Sequence, residues 1–361
     1  MRNKGRVLLT LLVGLFCCRP GGLACAQGRL TPVDADSVVL EDFFWNLQLD
    51  TVRVLYPTMP PVQPAKVKAT KKKIEEWEAR RARLLPTGVI AGEEDGLGSA
   101  IEMVNLSYEL GLATGETRYF AAMEHCLYNG VAGRMAEPAG EHTSEVAQLM
   151  NNVPSMAIAT RGTDVYINMF LRSSSFIENG DVHLLFVAGV SDPWYNEYLL
   201  QMRILGGESH FKIHIRVPEW MGDSVLATAD YVKKIGRWTM SVSGNQVKPQ
   251  YEDGYIVVER DWTEQDYVVV RFPSPIMRVS LKDSNEVMLQ RGSLLYTFLD
   301  LPDGATINPS DALRAEFDRD RHTNVLTGPY YKEGVQAGEF HAEPYCFNRL
   351  TAGARLSAPT E

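Results

Sequence analysis

The chain has 361 residues, enough for two or three domains at roughly 100–200 residues each. Its hydrophobic content of 45% and charged content of 22% are ordinary for a globular protein. The net charge of -9 denies a nucleic-acid partner the basic face it would need.

Residues 1–26 read as an export signal. Arg2, Lys4 and Arg6 make a basic start, and residues 7–18 are an apolar run too short to span a bilayer. Ala24-Cys25-Ala26 is a small-residue cleavage site that leaves Gln27 as the first mature residue. No later stretch is long and apolar enough for a membrane helix, so the expectation is an exported protein, periplasmic or extracellular. Cys17, Cys18 and Cys25 leave with the signal, while Cys126 and Cys346 remain, one in each half of the chain. An oxidising compartment would let them pair only if the fold brings them together.

Residues 27–55 form a leading strand segment. Within it VVLEDFFWNLQL (38–49) reads as a strand entering a turn, with Phe43, Phe44 and Trp45 as a packing anchor. Residues 56–98 read as a linker with a short charged helix. It opens with a proline-rich stretch (56–64), and the charge blocks of 66–85 suit an exposed helix. Its last part, PTGVIAGEEDGLG (86–98), is a glycine-rich loop carrying Glu93, Glu94 and Asp95, with no nucleotide-binding pattern. Residues 99–162 are helical. Ile101, Val104, Tyr108 and Leu112 recur at helical spacing, a second helix covers 118–134 and a short third one 146–150. From Asp164 the period changes to two and short strands follow one another as far as residue 300, the pattern of an antiparallel β-sandwich. Alternation is clearest over 210–217, where Lys212, His214 and Arg216 face one way and Phe211, Ile213, Ile215 and Val217 the other. Residues 301–361 are less regular.

Chemistry-bearing residues are sparse. The seven histidines form no HxxxH or HExxH set, and there is no GxSxG elbow. Cys126 follows His125, but adjacent helix residues point about 100° apart, which suits a core cysteine better than a Cys-His pair. His210 and His214 read as a polar strand face. Glu141-His142, at the seam between helices and strands, is an adjacent pair able to bind a metal or move a proton. Glycoside chemistry needs two carboxyl groups about 5–10 Å apart across a cleft. Glu93, Glu94, Glu102, Glu141 and Glu145 are available, and spacing alone selects no two of them.

Several motifs in fixed order resemble glycoside hydrolase family 127, the bacterial β-L-arabinofuranosidases. They are VYINMF (165–170), Pro193-Trp194, IHIRVPEW (213–220), Gly254-Tyr255 with Asp261-Trp262, VMLQRGSLLY (287–296) and PYCFNR (344–349). TGETRY (114–119) and EHCLYNG (124–130) look like the family's last long helices. The resemblance implies a mainly β fold: an antiparallel β-sandwich preceded by a short remnant of an (α/α)6 helical barrel. Residues 56–98 stand where the rest of the barrel belongs, which suggests a truncated homologue. The resemblance also implies a zinc ion held by one Glu and three Cys, one thiolate acting as nucleophile and a separate Glu as general acid/base. Here Gly96 and Gly98 stand where the Glu and the first Cys belong, and Glu141-His142 where an adjacent Cys-Cys pair belongs. The loop at Thr87-Gly88 makes Glu93 and Glu94 the acid/base candidates. The expectation is therefore an exported relative of enzymes acting on plant-type, arabinose-containing glycans, catalytically impaired and with no cofactor expected. A non-catalytic β-sandwich module that binds carbohydrate or protein is the alternative.

Overall fold

A computed structural model describes residues 28–41, 43–55, 69–134, 142–179, 182–187, 197–206, 209–221, 229–230, 238–248, 250–263, 265–280, 287–308, 312–319 and 323–346. The leader, the proline-rich part of the linker and Glu141 lie outside the described residues.

The chain opens with β1 (Thr31–Pro32) and β2 (Val38–Leu40). The expected turn after β2 is instead α1 (Phe43–Leu55). Phe44, Trp45, Gln48, Leu49 and Val52 fall on one helical stripe and are all buried, which a period of two could not achieve for the adjacent aromatics. Trp45 Nε1 donates to Tyr128 Oη at 3.0 Å, so Phe44 and Trp45 are a packing anchor. The charged helix α2 (Lys71–Arg81) starts at a Thr70 cap and buries one residue, Trp77, whose Nε1 donates to Ser107 Oγ at 2.8 Å. Next come α3 (Gly96–Thr114), which stops at Gly115 with φ +78°, and α4 (Thr117–His125). A π-helical segment (Cys126–Val131) and a 3-10 turn (Ala132–Arg134) continue α4, so the expected helix over 118–134 is one body with three windings. The third helix, α5 (Thr143–Met156), is longer than the five residues expected.

The strands are β3 (Ile158–Arg161), β4 (Asp164–Ile167), β5 (Ser173–Asn179), β6 (Val182–Val187), β7 (Glu197–Gly206) and β8 (Ser209–Arg216). After them come β9 (Ala229–Asp230), β10 (Thr239–Val242), β11 (Asn245–Gln246), β12 (Gln250–Glu252), β13 (Tyr255–Trp262) and β14 (Tyr267–Pro273). The last are β15 (Ile276–Ser280), β16 (Val287–Arg291), β17 (Leu294–Phe298), β18 (Arg314–Asp318), β19 (Thr323–Lys332) and β20 (Val335–Pro344). They form three sheets, ordered β1-β3-β4-β8-β13-β12, β11-β10-β14-β7-β6-β5-β2 and β18-β19-β20-β17-β16-β15-β9. Among the described residues only β4 and β8 pair in parallel. The fold is mainly β, as expected. The end of the chain is more regular than its sequence, however: β18 to β20 form a meander. Thr323, Asn324 and Thr327 of β19 are buried, so the strand shows no alternation of polar and apolar residues.

On β8 the alternation is real, but its polar face is not a free one. Phe211, Ile213 and Ile215 enter the core, while on the opposite face His214 stacks on Tyr166 at 4.0 Å between centroids and Arg216 is wholly buried. Arg216 donates to Glu124 of α4, to Glu219 at 3.3 Å and, through Nε, to the Asn168 carbonyl at 2.6 Å. The α4 body also holds the third sheet. Asn129 Nδ2 donates to the Ser293 carbonyl, and its Oδ1 accepts from the Leu295 N–H, both at 2.8 Å, so one side chain pairs with the start of β17, where β20 does not reach. The helices and all three sheets share one hydrophobic core.

Candidate functional site

The N-cap of α3 is Asp95 and that of α5 is His142. His142 Nε2 lies 2.5 Å from Asp95 Oδ2, so the two helices begin side by side. Thirteen residues beyond each cap, Tyr108 Oη donates to the Ser155 carbonyl at 3.0 Å, so they also run in the same direction. A groove of about 700 Å³ lies between them. Gly98, Ile101, Glu102 and Asn105 line it from α3, and Glu145, Gln148, Leu149 and Asn152 from α5. Both sets follow helical spacing, which is why each helix gives one face to the groove. The loop before α3 closes one end with Glu93, Glu94 and Asp95.

The loop is pinned from behind. Gly88, with φ +75°, packs so closely on the π segment that a Cβ on it would lie 2.4 Å from the Gly130 nitrogen. Arg134 Nη1 donates to the Thr87 carbonyl at 3.2 Å. Arg80 Nη2 lies 2.5 Å from Glu102 Oε2 and its Nη1 3.4 Å from Glu93 Oε2, with Arg83 on the other Glu93 oxygen at 3.1 Å. Glu93 is thus tied to two guanidinium groups, whereas exposed Glu94 has no ion-pair partner among the described residues.

At the groove mouth His142 sits between two carboxylates. Nδ1 meets Glu145 and Nε2 meets Asp95, while Asp95 Oδ1 accepts the Gly98 N–H at 2.9 Å. Glu145, and after it Asp95, raises the His142 pKa above the ordinary histidine range. The Gly98 N–H and then His142 hold Asp95 below the usual carboxylate range. The result is an imidazolium fixed between two carboxylates, able to donate hydrogen bonds or, by exchanging a partner, a proton.

The structure therefore brings Glu93, Glu94 and His142 to one groove, and Glu141 lies outside the described residues. Asp95 and Glu145, which the sequence left undistinguished among other acids, are the partners of His142. The Asp95-x-x-Gly98 cap and the i, i+3 spacing of His142 and Glu145 were the available signals. The groove amides carried no signal beyond lying on the polar sides of their helices. His125 and Cys126 take no part. Burial lowers His125 to about 4 and pushes the Cys126 thiol up, so the imidazole is neutral and the thiol protonated. Cys126 and Cys346 are both buried and not disulfide-bonded.

The donor set does not fit the zinc centre that the resemblance implies. Gly96 and Gly98 carry no donor, and a Cβ on Gly98 would lie 2.1 Å from Asp95 Oδ2 and 3.0 Å from His142 Cε1. Both His142 nitrogens already face carboxylates. Among the described residues no group of three or more His, Cys, Asp or Glu side chains is disposed to hold a metal ion. No helix among them is long and apolar enough to cross a membrane.

The family likeness falls in the strands, and the likeness of fold is wider. Residues 164–274 match the β-L-arabinofuranosidase GH127 middle domain. No curated protein matches the chain. Among solved structures, a GH127 β-arabinofuranosidase superposes with a TM-score of 0.64 at 21% identity, covering 73% of this chain and 51% of that one. A GH127 β-L-arabinofuranosidase from Geobacillus stearothermophilus T6 gives 0.59 at 16% identity over 73% of this chain and 52% of its own. A third, described as a glycoside hydrolase, gives 0.56 at 16% identity, covering 70% and 50%. The chain thus spans about half the length of the structures it matches; its fold is like theirs, and residues 164–274 are similar to the GH127 middle domain.

Proposed function

We propose that this GH127-like chain engages an L-arabinofuranose-containing glycan in the groove between α3 and α5, and that it does not cleave the glycosidic bond by a zinc-held thiolate. The observation that carries this reading is the meeting of positions 98 and 142. Where the resemblance puts two thiolates, the chain has a glycine whose Cβ position is filled by the Asp95 carboxylate and a histidine clasped by Asp95 and Glu145. A thiolate attacks the anomeric carbon directly, whereas an imidazolium between carboxylates has no free electron pair to do so. In this reading Glu94 is the acid with free oxygens at the groove, and Glu93 ties the loop to α2. Export before use also belongs to the proposal, resting on the basic start, apolar run and cleavage site of residues 1–26.

The test is zinc analysis of the purified protein, together with hydrolysis of an aryl β-L-arabinofuranoside and calorimetric binding of an arabinan-derived oligosaccharide. The expected outcome is substoichiometric zinc, no turnover and saturable binding. One zinc per chain with turnover abolished in His142→Ala refutes the proposal. N-terminal sequencing of the protein recovered outside the cytoplasm should begin at Gln27. A second reading, a carbohydrate- or protein-binding module, is favoured by the position of the family match at 164–274, downstream of the groove. Binding that survives every groove substitution would select it.

A further inference from the structure

We infer that the α3–α5 groove is read by side-chain amides, with Asn152 as the anchoring residue, and that it takes an uncharged hydroxylated ring and turns away an anionic one. This rests on the proposed function only in taking a glycan as the ligand. Asn152 is 93% buried, with a relative exposure of 7%, and lines the groove. Ser155 Oγ shares its one proton between Asn152 Oδ1 at 2.5 Å and the Asn152 carbonyl at 2.8 Å. Asn152 Nδ2 has no protein acceptor among the described residues. The Nδ2 is not closed off by protein and opens onto the groove, where a ligand or water can supply its acceptor. The Ser155 hydroxyl beside Oδ1 and the burial of the residue restrain the amide before any ligand arrives.

Around it the groove offers matched groups. Asn105 and Gln148 are exposed carboxamides on facing helices, each with donors and an acceptor, and a sugar hydroxyl can satisfy both. Ile101 and Leu149 give the floor an apolar surface for ring C–H groups. The charge is one-sided. Glu93, Glu94, Asp95, Glu102 and Glu145 face three cations, His142, Arg80 and Arg83, so the groove remains net acidic. A concave site of one sign concentrates its field, which repels a uronate or phosphate and leaves a neutral ring unaffected.

The experiment titrates the full chain by calorimetry at pH 7 and low salt with three probes: an arabinan-derived oligosaccharide, xylotriose and an oligogalacturonate. The variants are Asn152→Ala and Asn152→Asp. The aspartate keeps an acceptor for Ser155 Oγ and removes the donor, so it controls for a fold loosened by the alanine. Thermal unfolding checks both. The expected result is saturable binding of the arabinan oligosaccharide and no binding of the oligogalacturonate. Each variant should bind roughly three- to tenfold more weakly, the loss of one neutral hydrogen bond. Oligogalacturonate binding as tight as the neutral probe overturns the inference. So does arabinan binding unchanged in both variants, which leaves the proposed function standing with its ligand elsewhere. Xylotriose binding lost in Asn152→Asp, without arabinan binding, supports the amide-read groove and overturns the arabinofuranose reading. Failure of both neutral probes overturns both.

Discussion

The ion cluster between α4 and β8 makes a quantitative prediction. Arg216, Glu124 and Glu219 are all at least 92% buried, and one guanidinium faces two carboxylates there. For Glu219, burial outweighs the attraction of Arg216, Glu124 adds repulsion, and its pKa rises from 4.5 to about 7. The folded state therefore holds this proton more tightly than the unfolded chain. The stabilisation is fully present below the unfolded value and is lost as pH rises through the folded one. At 1.36 kcal/mol per unit the swing is about 3 kcal/mol between pH 4.5 and 7.5. Glu219→Gln mimics the protonated form and should remove it. Urea unfolding of both proteins at half-unit pH steps isolates the term. Carboxylates held low in the fold, such as Asp95, act in the opposite direction but are common to both proteins. Glu219→Gln should match the wild type near pH 4 and gain on it steadily to pH 7.5. A difference that stays flat with pH, or a variant that loses ground as pH rises, refutes the assignment of the buried proton to Glu219.

Three further outcomes are expected. Gly98→Cys should not build a metal centre, because its Cβ would displace the Asp95 cap. It should cost about 1 kcal/mol in thermal unfolding and leave zinc content unchanged. Gly130→Ala brings a methyl group to 2.5 Å from the Gly88 carbonyl oxygen and 2.7 Å from the Ala100 Cβ. It should destabilise by ~1–3 kcal/mol and raise the proteolytic sensitivity of the 86–95 loop. Cys126, buried with its thiol pKa pushed up, should resist alkylation at pH 8 in the folded protein and react fully in denaturant, read by mass spectrometry.

What the sequence disclosed followed from how local each signal was. The alternation of β8 is written in eight consecutive residues and survives as a real two-faced strand. What covers its second face is not, because Glu124 lies 92 residues from Arg216 and no local period joins them. Residues 43–55 misled for the opposite reason. Adjacent aromatics favour a strand by composition, and only the wider stripe to Val52 shows a helix. The groove combines both limits. Its amides and floor residues are legible as two helical faces, but that the faces meet depends on caps 47 residues apart. Resemblance brought positions 98 and 142 into question by asking what ought to stand there, without saying what stands there instead. The packing answers that. A side chain at 98 and the Asp95–His142 contact compete for the same volume. A side chain at 98 would therefore have to move the Asp95 carboxylate off His142. The two helix ends are thus coupled through one contact, so a substitution at position 98 is felt at His142.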